Sequence, residues 1–192
     1  MSEHADGTGA HQPAAERDLT RRAMSATLHC LTGCAMGEVL GMVVATALGW
    51  GNWPTVVLAV VLAFVFGYSL TMGPVLRAGV PFRQAVKVAL AADTVSIAVM
   101  EVCDNAVVLG VPGAMDAGLG SRLFWGSLSF ALAIAFVAAV PVNRWLIGRG
   151  KGHAAVHRTG VHGGPPPRLV GTLVVLAFVF GTAVLIAEAA AR

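Results

Sequence analysis

The 192-residue chain carries 13 basic and 10 acidic residues, for a formal net charge of +3, and 56% of its residues are hydrophobic. Only 12% are charged, about half of the roughly 25% that soluble domains contain. The apolar residues also come in long blocks rather than at amphipathic spacing, which excludes an ordinary soluble domain and predicts a membrane protein.

Five apolar stretches reach the roughly 20 residues that a membrane-spanning helix needs. They are residues 25–48, 54–76, 85–110, 123–147 and 169–189. The short alternating segments of a transmembrane β-barrel are absent from the sequence, so the predicted fold class is all-α, a polytopic membrane helix bundle in contact with the lipid bilayer. Basic residues cluster before the first stretch and in the second and fourth connections. The positive-inside rule therefore predicts a multi-pass protein of the cytoplasmic (inner) membrane, with its N-terminus inside and its C-terminus outside.

Composition divides the chain into four parts. Residues 1–23 are polar and unpatterned, and we predict a disordered cytoplasmic tail. Residues 24–149 are predicted to form a four-helix membrane core. Residues 150–168 are rich in Gly, His and Pro and are predicted to form a cytoplasmic loop, followed by a peripheral fifth transmembrane helix over 169–192.

The first predicted helix carries a row of candidate metal ligands. Cys30, Cys34 and Glu38 follow one another at intervals of four, and His29 precedes the first. Positions four apart share one face of a helix. Thiolate, imidazole and carboxylate are the usual ligands of zinc, and soft sulfur favours Cu(I). The alternative is that each cysteine is a small, nearly apolar packing residue.

A row of small residues lies beside this ligand row. Gly33, Gly37 and Gly41 are also four apart, and such a seam lets another helix approach closely. The seam predicts a homo-oligomer or a membrane partner bound through these three glycines.

The third predicted helix carries three acidic residues on one face. Relative to Asp93, Met100 and Asp104 fall within about 60° and Glu101 only slightly further round. Charged groups in hydrocarbon cost about 2.5–3.5 kcal/mol each on insertion scales, so this face must line the bundle interior or a water-filled cavity and should meet the ligand row of the first helix. We expect a cation or proton pathway; the alternative is acids that stay protonated or hydrogen-bonded. Met100 alone is more typical of packing than of ligation.

The fourth connection contains His153 and His157 at a spacing of four. If this segment is helical, both imidazoles point the same way and could chelate a metal ion. The alternative is a basic loop that contacts anionic headgroups through Arg149, Lys151 and Arg158.

Three pairs of sequence strings are distinctive. They are His-Cys-Leu-Thr-Gly-Cys at 29–34 with Gly-Glu at 37–38, Ala-Asp-Thr at 92–94 with Met-Glu at 100–101, and Pro-Val-Asn-Arg-Trp at 141–145 with Gly-Lys-Gly-His at 150–153. Over roughly residues 28–157 they resemble a family of bacterial membrane proteins catalogued as a domain of unknown function. The resemblance implies a membrane location.

The leading hypothesis is an integral membrane protein that binds or conducts a transition-metal cation, copper or zinc. The predicted ligands are His29, Cys30, Cys34, Glu38, Asp93, Met100, Glu101, Asp104, His153 and His157. One alternative is a non-catalytic assembly or scaffold subunit that uses the glycine seam, and another is a proton-coupled small-solute carrier that uses the carboxylates. Because the sequence shows no activated nucleophile, cofactor fingerprint or nucleic-acid signature, we predict neither an enzyme nor a nucleic-acid-binding protein.

Overall fold

The computed structural model describes residues 11–157 and 166–191, apart from the side chains of residues 11–14 and 157. All regular secondary structure in these ranges is helical, which confirms the predicted all-α fold. The helices are α1 (His11–Ala47), α2 (Asn52–Arg77), α3 (Phe82–Gly110), α4 (Arg122–Gly148), α5 (Ala154–His157) and α6 (Pro167–Ala190).

Four of these helices are long and apolar enough to cross a membrane, judged over the described residues. They are α1 from Ala15 onward, α2, α4 and α6. The sequence predicted a fifth span over α3, which has a suitable length of 29 residues. Its five charged residues are spread along the helix, so no long stretch of α3 is free of charge, whereas the charges of α1 are mostly near its start.

Short turns set the antiparallel order of the long helices. Gly49 ends α1 with φ +65° and Gly79 follows α2 with φ +81°, a left-handed conformation that glycine adopts without strain after a helix. At the start of α4, the Ser121 side chain accepts a hydrogen bond from the backbone N–H of Leu123 at 3.1 Å. This cap satisfies one of the free donors of the helix N-terminus.

The glycine seam of α1 packs against α2 of the same chain. A Cβ atom placed on Gly33 would lie 2.7 Å from the Cα of Gly67, and one on Gly37 or Gly41 would overlap Ala63 or Ala59. The prediction that Gly33, Gly37 and Gly41 bind a second chain is therefore wrong for this surface. The spacing allowed a close helix contact, and α2 provides it.

The predicted disordered tail over 1–23 is also corrected in part, because α1 begins at His11. Asp18 pairs with Arg21 at 3.1 Å and with Arg22 at 2.7 Å, at spacings that stabilise a polar helical turn. Arg144 of α4 donates a hydrogen bond to Thr20 at 2.8 Å, so this polar turn is anchored to the bundle. The first ten residues of the predicted tail lie outside the described part of the chain.

The predicted loop over 150–168 contains the short helix α5, and residues 158–165 of that loop lie outside the description. The last helix, α6, packs against α4, where Gly181 lies against Phe130. Only Val170 and Gly181 of α6 are buried. Its remaining apolar surface suits contact with lipid.

Candidate functional site

The polar rows of α1 and α3 face each other inside the bundle, as the sequence predicted. The Cys30 thiol donates a hydrogen bond to Asp93 at 3.5 Å. Further along the two helices, about two turns after Cys30 and three turns after Asp93, Glu38 lies beside Asp104. Because the matched positions rise together, α1 and α3 run in the same direction. Two polar clusters result, separated by about 12 Å along the helix axes at 1.5 Å per residue.

The first cluster brings three kinds of metal-binding side chain together. The Sγ of Cys30, one carboxylate oxygen of Asp93 and a ring nitrogen of His153 all lie within 4.8 Å of one another. The His153 Nδ1 is 3.3 Å from the Asp93 Oδ1. Cys30 and Asp93 are fully buried, and His153 is 8% exposed. We call these three residues the metal group.

The spacing in the metal group matches the edges of a tetrahedral zinc site. Zinc binds sulfur at about 2.3 Å and nitrogen or oxygen at about 2.0–2.1 Å, so tetrahedral geometry places sulfur about 3.5 Å from oxygen and nitrogen about 3.3 Å from oxygen. The measured separations are 3.5 Å from Cys30 Sγ to Asp93 Oδ1 and 3.3 Å from His153 Nδ1 to the same oxygen. Binding would therefore require little movement along these two edges.

Two glycines fold His153 back into the bundle. Gly150 and Gly152 have φ +69° and +58°, and the Lys151 backbone N–H donates to the Leu146 carbonyl at 2.8 Å. The chain therefore reverses directly after α4, and α5 packs against α3. This turn carries His153 away from the basic loop surface and into the metal group. His157 ends α5, and its side chain lies outside the described residues.

His29 lies at the edge of the metal group. Its ring centroid is 5.9 Å from that of His153, and its Nε2 is buried with no hydrogen-bond partner within the described ranges. A buried polar atom without a partner is costly, and a metal ion would satisfy it. His29 is thus a candidate fourth ligand.

Four predicted ligands form two neighbouring pairs outside the metal group. Cys34 lies next to Glu101, and Glu38 next to Asp104. Met100 is a fifth exception, because it packs with both cysteines in the apolar core. The structure thus separates the predicted ligands into two sites instead of one continuous chelating set.

The second cluster forms the inner end of a cavity of about 350 Å³. Glu38, Glu101 and Asp104 line this end, and we call the space the carboxylate cavity. It extends to the exposed loop residues Asn52 and Asp116, whose side chains hydrogen-bond to each other at 3.0 Å. The cavity therefore opens at the end of the bundle remote from His153.

A buried hydrogen-bonded triad supports the metal group, and two of its members were not predicted. Asn143 of α4 donates to Thr27 at 2.8 Å and to Ser96 at 2.9 Å, and all three residues are 0% exposed. Helix spacing puts Ser96 on the acidic face of α3 with Asp93, but sequence reasoning gave no role to Thr27 or Asn143. An amide in an otherwise apolar span was the available signal, because such side chains typically bond between helices.

No curated protein and no solved structure matches the chain. The family described as a domain of unknown function, DUF4396, matches residues 20–152. The matched stretch contains α2, α3, α4 and most of α1. It also contains both polar clusters apart from His153, the residue directly after the match. The helix α6 lies outside the match. As the sequence motifs implied, the chain belongs to this DUF4396 family.

Proposed function

We propose that this membrane protein binds a transition-metal cation, zinc or copper, inside its helix bundle. Cys30, Asp93 and His153 are the ligands, and His29 completes the coordination. The observation that carries the proposal is the convergence of thiol, carboxylate and imidazole atoms within 4.8 Å of one another, with two of the three separations equal to the edges of a tetrahedral site.

The donor set favours zinc over Cu(I). Copper in its reduced state prefers several soft sulfur ligands, whereas zinc accepts a mixture of sulfur, nitrogen and oxygen. The second cysteine, Cys34, lies next to Glu101 and not in the metal group. A single thiolate with one carboxylate and one or two imidazoles is typical of zinc.

Charge balance also supports a divalent ion. Burying isolated charges is expensive, and here a thiolate of Cys30 and a carboxylate of Asp93 would contribute two negative charges at a fully buried site. A divalent cation neutralises both. Before the metal binds, the Cys30 thiol keeps its proton and donates a hydrogen bond to Asp93. Metal binding displaces this proton, so the affinity for the metal falls as the solution becomes more acidic.

The test is the zinc content of the full-length protein, purified in detergent, loaded with zinc and dialysed. We expect about one bound zinc ion per chain and at least a tenfold loss of affinity in Cys30→Ser and Asp93→Asn. Cys103→Ser is the matched control, because Cys103 is also a free cysteine in the bundle but lies outside the metal group. Zinc-free wild-type protein, or unchanged affinity in Asp93→Asn, would contradict the proposal.

We further propose that α3 is a fifth span and that the N-terminus lies inside. Its acidic face, with Asp93 fully buried and Asp104 only 4% exposed, is shielded from lipid by the surrounding helices, as a polar span requires. In this orientation the metal group lies nearer the inside and the carboxylate cavity opens outward. A cation could then pass from one to the other, which extends the proposal from binding to conduction.

A further inference from the structure

We infer that the carboxylate cavity is a second binding site, separate from the metal group, for a primary alkylammonium ion. The inference does not depend on the metal proposal, because the two sites share no residue. It follows from the combination of free carboxylate oxygens, apolar walls and an open mouth.

The inner end of the cavity concentrates buried carboxylate oxygens, and among the described residues their close neighbours are one another and the Cys34 thiol. Both carboxylate oxygens of Glu38, both of Glu101 and one of Asp104 are buried without a hydrogen-bond partner there. Glu101 is only 5% exposed, yet it lines the cavity. Asn105, the nearby amide, donates to the Glu101 backbone carbonyl at 2.8 Å rather than to a carboxylate. A ligand that supplies several donors is therefore needed.

A primary ammonium group matches this acceptor set. It carries three N–H donors, no acceptor and one positive charge. The neighbouring carboxyl groups of Glu38 and Asp104 can receive two of those donors, and Glu101 lines the same cavity. Because the Glu38 and Asp104 carboxyl groups lie side by side, they are best accommodated with a shared proton or a bound cation. A quaternary ammonium ion has the charge but no donor and would leave the acceptors unsatisfied.

The cavity walls select an organic cation over a hydrated metal ion. Met42, Val56, Phe124 and Leu128 line the space next to the carboxylates. Such walls offer no ligand to a metal ion and cannot replace its hydration shell, whereas each methylene of an alkyl chain gains affinity when it leaves water. Among the described residues, Glu38, Glu101 and Asp104 also do not bring three oxygens within 4.8 Å of one another, which is the spacing of the atoms of the metal group.

Size and access are consistent with a small ligand. The volume of about 350 Å³ falls at the lower end of the roughly 300–1,000 Å³ of ligand cavities. The exposed side chains of Trp50 and Asp116 lie at the mouth. An amine can therefore enter from the loop end with its charged group leading toward Glu101.

The test is calorimetric titration of the full-length detergent-purified protein with n-hexylamine hydrochloride. Hexan-1-ol and tetraethylammonium chloride are the comparison probes, since the first lacks the charge and the second lacks the donors. We expect hexylammonium to bind at least tenfold more tightly than either probe. Glu101→Gln should weaken hexylammonium binding at least tenfold, whereas Cys30→Ser should leave it unchanged.

Circular dichroism and gel filtration report whether the Glu101→Gln variant is folded, so the test does not depend on zinc binding. If that variant does not fold, Asp104→Asn replaces it with the same expectation. The inference would be overturned if hexanol bound as tightly as hexylammonium, or if potassium chloride competed for the cavity as well as hexylammonium does. Undiminished hexylammonium binding in the folded variants would also overturn it. Loss of zinc binding in Cys30→Ser with retained hexylammonium binding would show that the two sites are distinct.

Discussion

Asp93 is the residue on which the metal group depends. One of its oxygens accepts a hydrogen bond from the Cys30 thiol at 3.5 Å and lies 3.3 Å from Nδ1 of His153. A single carboxylate of α3 therefore holds together side chains from α1 and from the turn before α5. Because it is fully buried, its charge is acceptable only with partners. The same carboxylate thus holds the three side chains together and would become a ligand in the proposed metal site.

Asn143 provides a test of how the site is supported. Asn143→Leu removes the amide that bonds Thr27 and Ser96 and leaves two buried hydroxyls without this donor. We expect the free energy of unfolding to fall by about 1–2 kcal/mol, measured by reversible unfolding in mixed micelles. The control is Ser69→Ala, an exposed side chain bonded only to its own helix at Val65. Equal stability of the two variants would show that the triad is dispensable.

The sequence predicted the residues of this site better than their grouping. Spacing of four placed Cys30, Cys34 and Glu38 on one face, and the acids of α3 on another, because a regular helix fixes those directions. It could not predict that His153 joins Cys30 and Asp93, because that depends on two left-handed glycines in a turn. The division into two sites likewise follows from the tertiary register of α1 against α3.

At the scale of elements, α1 presents two different faces to two neighbours. Its glycine face lets α2 approach until Gly33 nearly touches Gly67, and its cysteine face meets α3 at Asp93. The close approach of α2 fixes the rotation of α1 about its axis. The packing of one face therefore determines where the ligands of the other face point.

Gly37→Ala tests this coupling. The added methyl group would overlap the backbone of Ala63, so the helices must separate, and we expect a loss of about 1–3 kcal/mol of stability together with weaker zinc binding. Gly73→Ala in α2 is the control, since nothing lies within 4 Å of a Cβ there. Thermal unfolding followed by circular dichroism would compare the two variants. A Gly37→Ala protein as stable as the control would contradict the packing.

At the scale of the whole molecule, the polar residues are gathered inside and the outer helix surfaces are apolar. Glu101 and Asp104 are 5% and 4% exposed, whereas Val102, which lies between them in the sequence, is 70% exposed. This alternation of outward and interior positions would allow the acidic helix α3 to be the fifth span that we propose. Sequence periodicity predicted this burial, but it could not tell which helix would fill the glycine seam.

The orientation can be tested by cysteine labelling in a Cys103→Ser background, with a membrane-impermeant maleimide applied to intact cells. Gly51→Cys, in the turn before α2, should label because that turn is predicted to lie outside. Gly51 has φ −77°, so a side chain fits there without backbone strain. Ala78→Cys, in the exposed turn before α3, should label only after permeabilisation. The reverse pattern would contradict the proposed topology.

The two polar clusters are divided by a dry layer. Ile97 and Met100, with Ala135 and Ala139 of α4, fill the bundle between Asp93 and Glu101 and are at most 1% exposed. No thread of water can cross such a layer. In this conformation the layer therefore insulates one cluster from the other, and the conduction proposed above would require these side chains to move aside.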